Sequence, residues 1–167
     1  MKRKILSLFS MLALLFSLVS CGDPDPKEFT HCELTLLLDD SFEAEESEDF
    51  DLFLSNGAVA VSLIRLSFSA AFDQGILDTY TPKGFAAFFM HKSEKSDDLY
   101  MHGEVPYYNY TENISGRDIY YTVTFYRSYN AYFIVAYAVD EKNKDELSAQ
   151  ILQYAENAYF NDGPKVN

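Results

Sequence analysis

The side chains with the means to do chemistry are three histidines, two cysteines and a run of carboxylates. His31, His91 and His102 stand at no metal-motif spacing, and the sequence holds no Gly-x-Ser-x-Gly, phosphate-cradling glycine loop, His-Glu-x-x-His or Cys-x-x-Cys. His102-Gly103-Glu104 is the nearest approach to a ligand pair. His91 falls near the end of an expected helix, where the dipole favours a positive imidazole and gives it a structural role. Cys32 reads as a small buried or half-buried side chain opening a strand rather than as a reactive thiol, since its neighbour His31 would point to the opposite face. Residues 39–51 carry eight carboxylates: Asp39, Asp40, Glu43, Glu45, Glu46, Glu48, Asp49 and Asp51. Hard cations take several oxygens from such loops, but the Asp-x-Asp-x-Asp-Gly order of a calcium loop is missing, so solvated charge is the first reading. A hydrolase needs a nucleophile with an oriented base, and nothing here nominates one. No catalytic residue, metal or cofactor is therefore assigned.

Tyrosine is more informative. Of the 13 in the chain, nine fall between residues 107 and 137. Tyrosine offers contact area at low entropy cost together with a polar end, which suits interfaces. Tyr121 alternates onto a core row, while Tyr120 and Tyr126 take the other face of the same strand. With Tyr108 and Tyr110 beside them, they form a candidate binding face, Tyr108, Tyr110, Tyr120 and Tyr126, for a protein or a glycan. The competing assignment is core aromatics covered by the sheet's own helices.

The elements that must carry these residues begin with an address. Lys2, Arg3 and Lys4 precede an apolar run from Ile5 to Val19, the charged-then-apolar order of a secretory signal. Its length falls short of the roughly 20 residues a spanning helix needs. Leu18-Val19-Ser20-Cys21 resembles the lipobox of bacterial lipoproteins. That resemblance implies a signal peptide over residues 1–20, diacylation of Cys21 with palmitate-like chains, and a mature protein held on the extracytoplasmic side of the bacterial cell envelope. Losing three basic residues takes the formal charge from −13 to −16. Such a surface excludes nucleic acid as a partner, because phosphate binding needs clustered Lys and Arg. Attachment to the membrane then comes from the lipid anchor and not from a basic face. With Cys21 acylated, only Cys32 remains, so no intramolecular disulfide forms.

Residues 21–30, with two prolines, read as a short tether, residues 31–162 as one domain, and residues 163–167 as a tail. Within the domain, residues 33–38 read as a strand, and Asn56-Gly57 between alternating runs signals a hairpin. Phe72, Ile76, Leu77 and Tyr80 are expected to fold back on the sheet. Thr81-Pro82 has the form of an N-cap followed by proline at the first helical position, with Phe85, Phe88 and Phe89 on one helix face. Residues 99–104 and 107–111 read as extended, and Asn113 to Arg117 as a turn. Residues 119–126 and 131–139 then form the firmest hairpin, with one face core and the other wet but aromatic. A last helix opens at Asp140 or Asn143 and runs its apolar stripe from Leu147 through Ile151, Tyr154 and Ala155 to Tyr159.

This order is α+β, an antiparallel sheet packed by two main helices. The pattern resembles the PsbP-like fold on its early Leu36-Leu37-Leu38-Asp39-Asp40-Ser41-Phe42 strand and turn, the Asn56-Gly57 hairpin, the helix opened by Thr81-Pro82, the paired strands 119–126 and 131–139, and the closing helix. The resemblance implies a domain that works by contact, without catalytic residues to carry over. The expected function is a membrane-anchored lipoprotein acting as a non-catalytic binding or accessory module for a protein partner at the cell envelope. The alternative is a lipoprotein that binds a small ligand or a divalent cation.

Overall fold

The computed structural model describes residues 25–161. Along the chain the strands are β1 (Pro26–His31), β2 (Leu34–Asp39), β3 (Glu43–Glu45), β4 (Leu52–Ser55), β5 (Val59–Ser67), β6 (Tyr100–His102), β7 (Val105–Ile114), β8 (Arg117–Arg127), β9 (Ala131–Asp140) and β10 (Tyr159–Phe160). Helices α1 (Phe68–Phe72) and α2 (Pro82–Ser93) lie between β5 and β6, and α3 (Lys144–Glu156) follows β9 after one 3-10 turn. Every pairing among these strands is antiparallel. Seven form one sheet in the order β3-β4-β5-β9-β8-β7-β6, and β1-β2-β10 form a second. The large sheet therefore begins and ends on strands of three residues, Glu43–Glu45 and Tyr100–His102.

The β8–β9 hairpin forms as its alternation dictates, with Tyr121 opposite Ala138 and Phe125 opposite Ile134. Its second face, however, is not wet. Thr122, Thr124 and Tyr126 are buried with Ile119, Tyr121, Val123 and Phe125, because the sheet is covered on both sides. On one side Phe85 of α2 stacks on Tyr132 with ring centroids 4.3 Å apart and meets Phe125 edge-on at 5.5 Å. On the other, Leu34, Leu36, Leu38 and Phe42 of the small sheet and its exit, with Ile151, Tyr154 and Ala155 of α3, close over Val135, Tyr137 and Val139. The hydroxyl of Thr124 donates to the carbonyl of Val135 at 3.0 Å, which lets a polar side chain sit at no exposure.

Local signals set the helices. The Thr81 hydroxyl accepts from the Gly84 amide at 3.1 Å and Pro82 occupies the first turn of α2. The Ser67 hydroxyl caps α1 in the same way. Ile76 is buried and Tyr80 packs on the core, whereas Phe72 and Leu77, expected to fold back with them, are 69% and 47% exposed. α1 is a single turn, too short to turn both of its flanks inward.

Other departures have equally local causes. The expected tether contains β1, whose Phe29 pairs opposite Leu36 and packs on the core while Lys27 donates to the Phe42 carbonyl at 3.2 Å. Cys32 does not open a buried strand; it is exposed in the β1–β2 turn with φ +52°. The closing helix stops at Glu156, and Tyr159–Phe160 pairs with β2 instead of extending it. Phe160 there lies 5.8 Å from Phe133, and the Tyr159 hydroxyl donates to Glu28 at 2.8 Å.

Phe85 touches both Tyr132 and Phe125 from a fully buried position, so Phe85→Ala should cost about 3–5 kcal/mol of unfolding free energy. Thr81→Ala, which removes only the cap, should cost about 1 kcal/mol. Urea unfolding of the two variants checks the ranking, and equal losses would contradict it.

Candidate functional site

Strand register decides which tyrosines can meet a partner. β7 pairs with β8 so that Tyr108 opposes Val123, Tyr110 opposes Tyr121, and Thr111 opposes Tyr120. Directly opposed residues share a face, so Tyr108 and Tyr110 lie with Tyr121 on the α2 side, away from Tyr120 and Tyr126. The four tyrosines therefore do not form one face. Three of them are also interior: Tyr108 stands 5.8 Å from Phe125 and 6.0 Å from Tyr110, and the Tyr126 hydroxyl donates to the Ala155 carbonyl of α3 at 2.9 Å. Only Tyr120 stays half-buried.

Tyr120 has two neighbours that the sequence did not single out. Tyr107 opposes Thr124 across β7–β8, which places it on the Tyr120 side, and Tyr100 opposes Tyr107 across β6–β7. The Tyr100 and Tyr107 rings are 5.5 Å apart and tilted by 32°. Together Tyr100, Tyr107 and Tyr120 make an aromatic shelf on the outer part of the sheet, beside α3. Asn109 and Thr111 continue the Tyr107 row, and the Asn109 Oδ1 is buried without a hydrogen-bond partner among the described residues.

α3 runs along the shelf from end to end. At its start Lys144 Nζ lies 5.7 Å over the Tyr120 ring and 3.0 Å from Glu141. At its finish Glu156 pairs with His102 Nε2 at 3.3 Å. These residues are twelve positions apart, about 18 Å along a helix axis. Gly103 takes φ +55° in the β6–β7 turn, a left-handed conformation that favours glycine, and sits beside the Glu156 side chain. His102 Nε2 is thus set against the Glu156 carboxylate, not against the Glu104 side chain that follows it in sequence.

The electrostatics of the shelf are negative. The Tyr100 hydroxyl donates to Asp98 Oδ2 at 3.3 Å, and that carboxylate is the main cause raising its pKa above the ordinary 10. Partial burial raises the pKa of Tyr120, Lys144 lowers it, and Tyr107 and Tyr100 raise it again.

The other sequence candidates disperse. Asp39 is buried and accepts from Ser41 and from the Tyr154 hydroxyl, Asp51 Oδ2 accepts the Arg65 amide at 2.6 Å, and Glu43, Glu45, Glu46, Glu48 and Asp49 are exposed. Among the described residues no three His, Cys, Asp or Glu side chains converge in a way that would hold a metal ion. His31 ends β1 and His91 lies in the last turn of α2. Cys21 lies outside the described residues.

Burial raises the pKa of Tyr110, Tyr121, Tyr126, Tyr137 and Tyr154 above the ordinary 10. The native state keeps these protons where the unfolded chain releases them, so their contribution is intact below pH 10 and is lost as pH climbs above it. In an alkaline titration their phenolate absorbance should rise only as the circular dichroism of the sheet collapses. Full ionisation of every tyrosine in a folded protein would contradict the interior placement.

No protein-family profile matches the chain, and no curated protein matches its sequence. Solved structures do match its shape. The cyanobacterial PsbP protein CyanoP from Synechocystis sp. is 11% identical with a TM-score of 0.52, over 86% of this chain and 99% of its own. A protein of Bacteroides thetaiotaomicron is 12% identical with a TM-score of 0.55, over 83% of this chain and 50% of its own. The Saccharomyces cerevisiae Ran-binding protein Mog1p is 10% identical with a TM-score of 0.52, over 82% of this chain and 96% of its own. At such identities the likeness is one of architecture, and the sheet order and layers described above are accordingly those of a PsbP-like α+β fold.

Proposed function

We propose that this protein is a lipid-anchored, extracytoplasmic module that holds a protein partner and carries out no reaction of its own. The observation that carries the reading is the Tyr100–Tyr107–Tyr120 shelf. Interior aromatics of this chain are covered by α2, α3 or the small sheet, whereas Tyr100 is 44% exposed and Tyr107 and Tyr120 are half-exposed beside it. One neighbour in fold, Mog1p, is by name a Ran-binding protein, so this architecture supports binding by contact in at least that case. For the anchor, support comes from Leu18-Val19-Ser20-Cys21 and the basic and apolar segments before it. Among the described residues no helix is long and apolar enough to cross a membrane.

An anchor at Cys21 would orient the domain. Pro26 pairs with Asp39, next to the Asn56 turn that reaches Ser41 at 3.3 Å. From Cys21 to Pro26 the chain spans at most about 17 Å, so this end faces the lipid. The opposite end carries Cys32 and the β8–β9 turn, joined by the Ser128 hydroxyl donating to Glu33 at 2.8 Å.

Cys21→Ser should move the protein from the membrane fraction to the soluble fraction. A fluorophore on the native Cys32 thiol should escape a lipid-headgroup quencher, while the same label on Asp40→Cys, made with Cys32→Ser, should be quenched. Retention of Cys21→Ser on the membrane, or equal quenching at both positions, would refute the anchor or the orientation respectively. A photocrosslinking residue replacing Tyr100 should capture one reproducible partner in cells, a product lost with Tyr107→Ala in a protein that still folds. Yields no higher than from the exposed Tyr129, in the β8–β9 turn, would refute the shelf as the site.

A further inference from the structure

The chain carries 13 Lys and Arg against 26 Asp and Glu, and it spends several of its cations on its own rings. Lys95 lies 5.3 Å over Tyr110, Arg127 lies 5.1 Å over Phe68, and Lys144 lies 5.7 Å over Tyr120. Such placements are favoured because the face of an aromatic ring is negative. Lys144 is thus a cation already seated on one end of the shelf, and Tyr100 and Tyr107 present rings of the same kind at the other end, tilted by 32° to each other.

The surroundings of those two rings ask for positive charge and for donors. Asp97 and Asp98 precede Tyr100 and are exposed, Glu104 is exposed in the turn after it, and Glu156 closes the α3 side. Glu141 and Asp145 hold Lys144 at the far end. Donation of the Tyr100 proton to Asp98 pushes electron density into the ring and deepens its negative face. Arg and Lys are all donor and no acceptor, and the planar guanidinium stacks on a ring while its edge reaches carboxylates. An anionic partner would be repelled by the same groups, and a neutral one would leave their potential unused.

We propose that the Tyr100–Tyr107 end of the shelf receives an arginine- or lysine-bearing segment of a protein partner, its cation stacked on the two rings and flanked by Asp98 and Glu156. This rests on the reading of the shelf as the binding surface, and it adds the chemistry of what binds there.

The test uses full-length protein in detergent micelles and a fluorescent oligo-arginine peptide, read by anisotropy at physiological ionic strength. Tyr100→Leu with Tyr107→Leu keeps the apolar area and removes the rings, and should weaken binding about fivefold or more. Tyr100→Phe with Tyr107→Phe keeps the rings and should stay within about twofold. Asp98→Asn, at an exposed site that leaves folding intact, should weaken binding about threefold. Glu43→Gln with Glu45→Gln removes two charges from the far edge of the sheet and should change little. A leucine pair that binds like the unmodified protein, or a Glu43 and Glu45 pair that loses as much as the leucine pair, overturns the proposal by showing diffuse attraction. Crosslinking from position 100 combined with peptide binding indifferent to both ring pairs overturns this proposal and leaves the binding-module reading intact. Ring-dependent peptide binding without any crosslinked partner overturns the binding-module reading, and with it a protein segment as the occupant, leaving only the preference of the rings for a cation.

Discussion

Strand β9 has no face to give to water. All nine residues from Ala131 to Val139 are buried, and an antiparallel sheet that is covered on both sides needs two independent covers. That requirement accounts for most of the architecture. One cover is aromatic and local in sequence, α1 and α2 inserted between β5 and β6 with Phe85 at the centre. The other is assembled from both ends of the domain, β1 and β2 from its beginning with α3 and β10 from its finish. Asp39, taking the Tyr154 hydroxyl, and Glu33, joined to Arg65 at 3.3 Å, hold the small sheet to α3 and to the large sheet with charges that would be costly to leave alone.

Much of this was legible because it is local. The Thr81-Pro82 cap, the Asn56-Gly57 hairpin, the β8–β9 alternation and the Ile151–Tyr154–Ala155 stripe each rest on neighbours a few residues apart, and each stands where the pattern puts it. What failed depended on partners far along the chain. Two prolines and several charges make residues 21–30 look like a tether, yet Phe29 opposite Leu36 is enough to add a strand once β2 is there to receive it. Ala158 and Tyr159 continue a helical stripe, but the open edge of β2 offers them backbone bonds instead. Thr122 and Thr124 mimic a wet face because a satisfied hydroxyl and a solvated one are identical in sequence.

The tyrosine face was lost to register. A strand presents successive residues to opposite sides, so a slip of one residue exchanges Tyr107 for Tyr108. The clue was present in Ser115-Gly116. A two-residue turn between Ile114 and Arg117 forces odd positions of β7 onto the side of even positions of β8, which selects Tyr107 and not Tyr108 or Tyr110 as the neighbour of Tyr120. A turn taken as the five residues from Asn113 to Arg117 leaves that choice open. The excess of acid over base has a similar double character. Composition gives only the excess itself, and only the structure shows that lysines and arginines are drawn onto rings, leaving an aromatic surface framed by carboxylates.

The brevity of the two outermost strands of the large sheet matters for neighbours. Open sheet edges invite strands from other molecules, and long flat ones template association. Here one margin is Glu43-Ala44-Glu45, which sets like charges against any identical strand that approaches, and at the other the three residues of β6 cover only residues 105–107 of β7. Copies crowded together at high surface density would therefore not pair through the Glu43–Glu45 margin, and a dense array could stand with those margins side by side and each aromatic ledge open.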